Sequence, residues 1–229
     1  MPARMAFVLL IIFDIEVSRT DLTQDAIMIR SVQKEGIMAR SIEFDKPEAL
    51  AAAIEAIWHS GYHAVSTNDL IAEMGLAKSS LYNTFGSKHQ LFLAALSHYA
   101  DERAAQLAAA LEEGPALDTL RGLLNAIASS NDGGKGCLLV NSAIEVAPHD
   151  AEVAAAVQHG LEKMARVFAA FIRAAQARGE VGAHLDPQQT AISLITGIAG
   201  LRAMAKAGFR PAALRPFIDG LLLGLAAGQ

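Results

Sequence analysis

The sequence predicts an all-α protein, an N-terminal three-helix helix-turn-helix unit followed by a larger C-terminal helical domain. Three observations carry this. Apolar residues recur at steps of three and four along most of the chain beyond residue 45. Several of these runs are preceded by a Ser or Asp with Glu, Asp or Gln three residues later, the signature of a helix start. Hydrophobic residues reach 52% while aromatics are only 6%, with Ala conspicuous, a balance that favours helix over sheet.

In chain order, the N-terminal segment contains one unbroken apolar run, Ala6 to Phe13. It is far shorter than the ~20 residues of a spanning helix, so no membrane partner is expected. Arg4 precedes the run as in a secretory leader, but Asp14 and Glu16 follow it without a small-residue cleavage pattern. The first folded element runs from about Lys46 to Ser60. Asp45 caps it with Glu48 three residues on, Pro47 is tolerated in the first turn, and Leu50, Ile54, Ile57 and Trp58 form a buried stripe that ends at Gly61. Trp58 reads as a core anchor. His59 and His63 have the spacing of a helical metal pair, but Gly61 between them breaks the geometry, and no metal site is expected.

Ser66 to Gln90 reads as two short helices joined by a glycine turn. Leu70, Ile71 and Met74 give one stripe, Gly75 supplies a left-handed turn, and Leu81 with Phe85 restart a stripe at i, i+4. This is a helix-turn-helix pattern, whose second helix enters the major groove. With Leu81 and Phe85 inward, ~100° per residue turns Ser79 and Asn83 outward, flanked by Ser80 and Tyr82. Ser and Asn bond base edges, Asn suits adenine, and Lys78 reaches a phosphate or a guanine. Tyr82 positions a phosphate through its hydroxyl. Ser66 with Asp69 and Ser87 with Gln90 both read as capping boxes. Lys88 then lies in a first helical turn, where open N–H groups favour a phosphate. On this pattern alone, a helical corner using the same Leu and Phe only as core stays open.

The run Leu76 to Phe92, LeuAlaLysSerSerLeuTyrAsnThrPheGlySerLysHisGlnLeuPhe, resembles the DNA-binding signature of the TetR family of bacterial one-component transcriptional repressors. In that family a Leu-Tyr-x-x-Phe core of the recognition helix is followed by a small linker and a Lys at the head of the next helix. Leu81, Tyr82, Phe85 and Lys88 occupy those places, within a resemblance that spans Pro47 to Leu93. It implies Thr67, Lys78, Ser79, Ser80, Tyr82, Asn83 and Lys88 as DNA contacts, with Tyr62 and His63 at the backbone and palindromic double-stranded DNA as the partner. MetAlaArgSerIleGluPhe from Met38 resembles the usual start in this branch, so residues 1–37 are expected to be an over-long start that adds little to function. The expected division is then a DNA-binding domain over 38–93 and an effector-binding and dimerisation domain over 94–229.

A net charge of −5 argues against a generally adhesive nucleic-acid binder, since non-specific affinity comes from Lys and Arg on phosphates. Locally the balance differs: Gly75 to Gln90 holds two Lys, one His and no carboxylate. Binding is expected to depend on geometry and pairing as much as on charge.

From Lys88 the helical pattern continues to about Glu113 and stops at Gly114-Pro115. Leu117, Leu120, Leu123, Leu124 and Ile127 build the next helix. The loop AsnAspGlyGlyLysGly at 131–136 fails the Gly-Lys-Ser/Thr requirement of a phosphate loop and reads as a flexible connection. GlyCysLeuLeuValAsnSer after it is a strand or a buried helix on periodicity. It resembles the Gly-Cys opening of a helix in the branch of the family that includes sensors of reactive electrophiles and oxidants. Cys137 is the only cysteine, which excludes an intramolecular disulfide and fits a reducing cytoplasm. A sensing thiol needs access and a nearby positive group or helix start. Position 137 offers the helix start and Lys135 a charge; the other reading is a small buried hydrophobe.

Asp150 to Arg178 reads as one long helix with Val153, Val157, Leu161, Met164, Phe168, Phe171 and Ile172 on its apolar face. The resemblance implies that this helix lines an effector pocket. Met164, Phe168 and Phe171, together with Tyr99, Cys137 and Asn141, are therefore the candidate ligand contacts for an unidentified small molecule, against the plainer reading as core. Pro187 starts a helix to about Ala207, where Gly197, Gly200 and Ala203 allow close approach. Pro211 starts the last, whose stripe of Leu214, Ile218, Leu221, Leu222 and Leu225 is widened by Phe217 and Leu223 beyond what one core needs. A two-fold homodimer through a four-helix bundle follows, placing two recognition helices ~34 Å apart on a palindrome.

The expected function is a dimeric repressor whose second domain binds or reacts with a small molecule, so that ligand and DNA oppose each other by linkage. No cofactor and no catalytic residue are expected. No nucleophile–base pair survives inspection, and His59, His63, His89, His98, His149, His159 and His184 form no ligand set. The alternatives are a helical carrier or enzyme using the same pocket, and a constitutive architectural DNA binder, which the acidic balance disfavours.

Overall fold

The computed structural model describes residues 45–226 apart from Glu113 and Asn131. The apolar run at Ala6–Phe13 and the expected start at Met38 lie outside the described residues. The chain forms α1 (Lys46–Ser60), α2 (Thr67–Met74), α3 (Lys78–Phe85), α4 (Lys88–Ala110), α5 (Ala116–Ala128), α6 (Leu138–Glu145), α7 (Ala151–Ala177), α8 (Pro187–Lys206) and α9 (Pro211–Leu223), with a 3-10 turn at Ala147–His149. The segment after Cys137, open between strand and helix on periodicity, is the helix α6. Among the described residues no helix is long and apolar enough to cross a membrane.

The helix starts follow local side-chain chemistry. Asp45 accepts the Glu48 amide, Asp186 accepts that of Gln189, and Ser66 with Asp69 closes a reciprocal box at 3.2 and 2.8 Å. Ser87 accepts the Gln90 amide at 3.0 Å, the forward half of such a box. Gly75 ends α2 with φ 62, a left-handed conformation that lets the chain reverse directly into α3. Asp150 caps α7 by accepting the amides of Glu152 and Val153.

Two apolar clusters divide the molecule, and they do not part at residue 93. The first gathers α1, α2 and α3 around Leu91–Ala100 of α4, and it also takes in Leu138, Leu139 and Val146 around α6 and Val153 and Val157 of α7. The second joins the end of α4 to α5, Ala165–Ala175 of α7, α8 and α9. Helices α4 and α7 pack along each other and belong to both, with Met164 against each cluster. The helix-turn-helix headpiece thus shares its core with the Cys137 helix.

The loop over 132–136 is not the loose connection its composition suggests. The Asp132 carboxylate accepts the amides of Gly134 and Gly136 at 3.0 and 2.9 Å and faces Arg202 at 3.5 Å. The Lys135 carbonyl accepts from the Trp58 indole at 3.2 Å, the Asn141 amide at 2.7 Å and Lys206 at 3.4 Å. Glycine content signals turns, while the partners that pin this one come from α1, α6 and α8.

Candidate functional site

The headpiece presents a polar face built on a small core. Leu70, Met74, Leu81 and Phe85 are buried. Opposite them Lys78, Ser79 and Asn83 are exposed and Tyr82 is 42% exposed, all on one outward side of α3; Ser80 and Thr67 are half-buried at its margins. Ala77 at the start of α3 supplies no side-chain cap, which leaves the first amides of a recognition helix for an anion.

Lys88 departs from the sequence expectation of a phosphate clamp. Its ammonium donates to the carbonyls of Tyr62, at 2.6 Å, and Val65, and it lies 4.4 Å from the centre of the Tyr62 ring. Desolvation holds this ammonium below the ordinary lysine range, partly offset by Glu145 and Asp69. Position in a first helical turn suggested DNA; the turn joining α1 and α2 lies closer and takes the donors. The Tyr62 ring is likewise engaged inward, stacked on Phe92 at 4.4 Å, while His63 is exposed.

The second set of candidates gathers around Cys137, the half-buried residue that begins α6. A cavity of about 70 Å³ between α4, α5, α6, α7 and α8 is lined by Tyr99, Cys137, Met164 and Phe168, with Arg103 and Arg202 as its cationic residues. A larger cleft of about 470 Å³, between the end of α1 and α6 and α8, is lined by Cys137, Asn141 and Glu145. Cys137 is therefore reached from both sides. The Tyr99 hydroxyl stands 4.0 Å from the Cys137 sulfur, and burial, with the thiol beside it, pushes this phenol far above its ordinary range, so it stays neutral.

Two expectations fail here. Phe171 lines neither space; it lies in the second core cluster, three residues beyond Phe168 on the same helix. The Lys135 ammonium does not supply charge to the thiol, because it pairs with Glu55 at 2.6 Å and lies over the Trp58 ring. Asn141 borders the larger cleft rather than the smaller cavity, and its amide donates to the Lys135 carbonyl.

Sequence reasoning missed Arg103 and Arg202, which are far apart in the chain, and it missed Glu145. The Arg103 guanidinium lies 4.9 Å from the Tyr99 ring and 5.4 Å from Trp58. Glu145 carried one usable signal, a carboxylate in the last turn of a helix, where the macrodipole disfavours it. His89, which belongs to no metal-ligand set in the sequence, meets the Asp150 cap of α7 at 2.8 Å.

Comparison with known proteins agrees with this arrangement. The pattern of bacterial regulatory proteins of the tetR family matches residues 49–95, and that of the tetracyclin repressor-like C-terminal domain matches 116–221. An uncharacterised HTH-type transcriptional regulator of Bacillus subtilis (strain 168), YezE, is 33% identical over 69% of this chain and 81% of its own length. The HTH-type transcriptional repressor ComR of Escherichia coli (strain K12) is 32% identical over 72% of this chain and 81% of its own. Among solved structures, a cysteine mutant of the TetR family regulator CifR complexed with 26 bp double-strand operator DNA superimposes with a TM-score of 0.68 at 29% identity, covering 80% of this chain and 98% of that one. Reduced NemR of E. coli shares the fold with a TM-score of 0.71 at 19% identity, over 79% and 96%. The two domain matches, the relatives and the headpiece geometry agree: this chain belongs to the TetR family of helix-turn-helix transcriptional regulators and binds DNA.

Proposed function

We propose that the protein is a homodimeric repressor that leaves its operator when a small molecule occupies the cavity beside Tyr99 or a thiol-reactive electrophile modifies Cys137. One observation carries the coupling: the headpiece helices and the Cys137 helix share a single apolar cluster, so a change at α6 is felt where α1 packs. Ser79 and Asn83 read the palindrome while Lys78 and Tyr82 hold its phosphates, supported by Ser80 and Thr67. Residues Ile192, Met204, Phe209 and Phe217, all between 40% and 49% exposed, form an apolar groove of α8 and α9 that suits pairing with a second copy. The repressor ComR and the operator complex of CifR support the same reading. The protein acts on DNA in the reducing cytoplasm and catalyses nothing.

The test is fluorescence anisotropy with DNA from upstream of its own gene, with and without N-ethylmaleimide. Release of the wild type, with the Cys137→Ser protein staying bound, is the expected result. Electrophile-induced release of Cys137→Ser would defeat the thiol reading; no binding to any palindrome by a folded dimer at low salt would defeat the repressor reading.

A further inference from the structure

Glu145 ends α6, at the opposite end from Cys137, and its two oxygens accept the main-chain N–H groups of Tyr62 at 3.3 Å and His63 at 3.0 Å. These are the first amides of the turn that leaves α1 for α2. Gly61, just before them, has φ 88, and a Cβ there would stand 3.1 Å from the Glu145 carboxylate. Both its backbone and its lack of a side chain admit the contact. Lys88 holds the same turn from the α4 side through the Tyr62 and Val65 carbonyls. The turn is thus gripped by a carboxylate from the Cys137 helix and by an ammonium from the helix that follows the recognition helix.

We propose that Glu145 is a positioning residue that fixes the orientation of the DNA-binding headpiece and passes the state of α6 to it. This rests on the reading that Cys137 or the adjoining cavity takes an effector. Helix α6 has eight residues, a rod of about 12 Å, with the thiol at one end and the tether at the other. A substituent on Cys137 either crowds the cavity of about 70 Å³ and displaces α6, or enters the cleft of about 470 Å³ that Glu145 also lines. Hydrogen bonds are directional and weaken steeply with misalignment, so a shift of α6 either turns the headpiece or breaks these two. The carboxylate's place against the helix dipole is a local inconsistency that a tether of this kind explains.

The experiment compares wild type, Glu145→Ala, Glu145→Gln and Cys137→Ser on an operator recovered by selection from random DNA, and on the same operator with its half-sites moved apart by a base pair. Wild type discriminates between the spacings. Glu145→Ala loses most of that discrimination, with affinity for the native operator down by about tenfold. It also loses hydrogen-exchange protection at the Tyr62 and His63 amides. Glu145→Gln, which keeps one acceptor oxygen, is intermediate and carries the comparison should the alanine protein fail to fold. A residue that only stabilises the fold would lower the melting temperature and leave spacing discrimination intact, and that result overturns the proposal. In the effector arm, N-ethylmaleimide labels Cys137 in Glu145→Ala at the wild-type rate but no longer changes its DNA affinity; release equal to that of wild type overturns transmission through Glu145. If maleimide leaves the wild type on DNA, the thiol reading fails, while spacing discrimination still decides the positioning role.

Discussion

The outward face of α3 and the outward face of α8 and α9 are opposite kinds of surface. The first is polar, with Lys78, Ser79, Tyr82 and Asn83 standing over buried Leu81 and Phe85, and it has little charge. The second is apolar, with Ile192 at 49%, Phe209 and Phe217 at 47% and Leu223 at 78% exposed. A polar face with one exposed lysine, on a chain of net charge −5, gains little from phosphates alone. Large apolar side chains exposed together on one face favour a partner that covers them. If the apolar face pairs with a second copy as proposed, each surface explains the other: weak single-headed DNA contact becomes strong when two heads are joined.

That dependence gives the largest expected effect. The double substitution Ile192→Asp with Phe217→Asp places two charges in the groove of α8 and α9. Sedimentation should show a monomer, and operator affinity should fall by about two to four decades, the avidity lost when a second head is no longer tethered. A monomer that binds the full palindrome as well as wild type would break the comparison.

Next come the reading residues. Removing Asn83 as Asn83→Ala should cost ~1–3 kcal/mol of discrimination and relax the preferred base at one position per half-site, checked by selection from random DNA. Tyr82→Ala should weaken all sequences alike, as a phosphate contact does. The lysines separate more finely. Lys78→Ala should lower the slope of log affinity against log salt by about one, whereas Lys88→Met should leave the slope unchanged. Lys88→Met should instead lower the urea midpoint, through loss of charge-assisted bonds of ~1.5–3 kcal/mol each before solvent screening is deducted. A reduced salt slope in Lys88→Met would restore the phosphate clamp.

The contrast between these lysines also shows what a sequence can disclose. Helix extents, caps and the Gly75 turn were legible because their causes lie within a few residues: a stripe, an acceptor three positions upstream, a residue tolerant of positive φ. The outward placement of Ser79 and Asn83 followed from the period of one short helix. The contacts of Lys88 and Phe171 were not legible because their partners come from elsewhere in the chain: Tyr62 and Val65 for one, the second core cluster for the other. Phe168 and Phe171 share a stripe, and periodicity cannot tell which adjoins a cavity. Glu145 was overlooked for the same reason, since its partners lie 83 and 82 positions away. Placements fixed within one helix were readable, and those fixed by contacts between the headpiece and the rest were not.

The smallest effect concerns two carboxylates at helix starts in the two regions, Asp150 as the cap of α7 and Asp69 as the returning acceptor of the Ser66 capping box of α2. Asp69 is held below the ordinary aspartate range chiefly by its bond with Ser66, and Asp150 chiefly by the Val153 amide, with His89 contributing. A lowered folded-state value means that each contributes stability fully above the ordinary value of 3.8 and loses it as pH falls below that, through the depressed value. Asn is as good a cap as Asp but has no proton to take up there. Asp150→Asn should therefore change neutral-pH stability little and flatten the acid limb of unfolding, followed by the fluorescence of Trp58, the single tryptophan, where α1 meets Tyr99 and the 132–136 loop. Asp69→Asn should do the same for α2 alone, with a weaker signal at Trp58, because α7 belongs to both apolar clusters and α2 to one. Equal acid limbs for wild type and Asp150→Asn would place the acid-sensitive group elsewhere, and a larger Trp58 response to Asp69→Asn than to Asp150→Asn would mean that the headpiece, not α7, governs the junction.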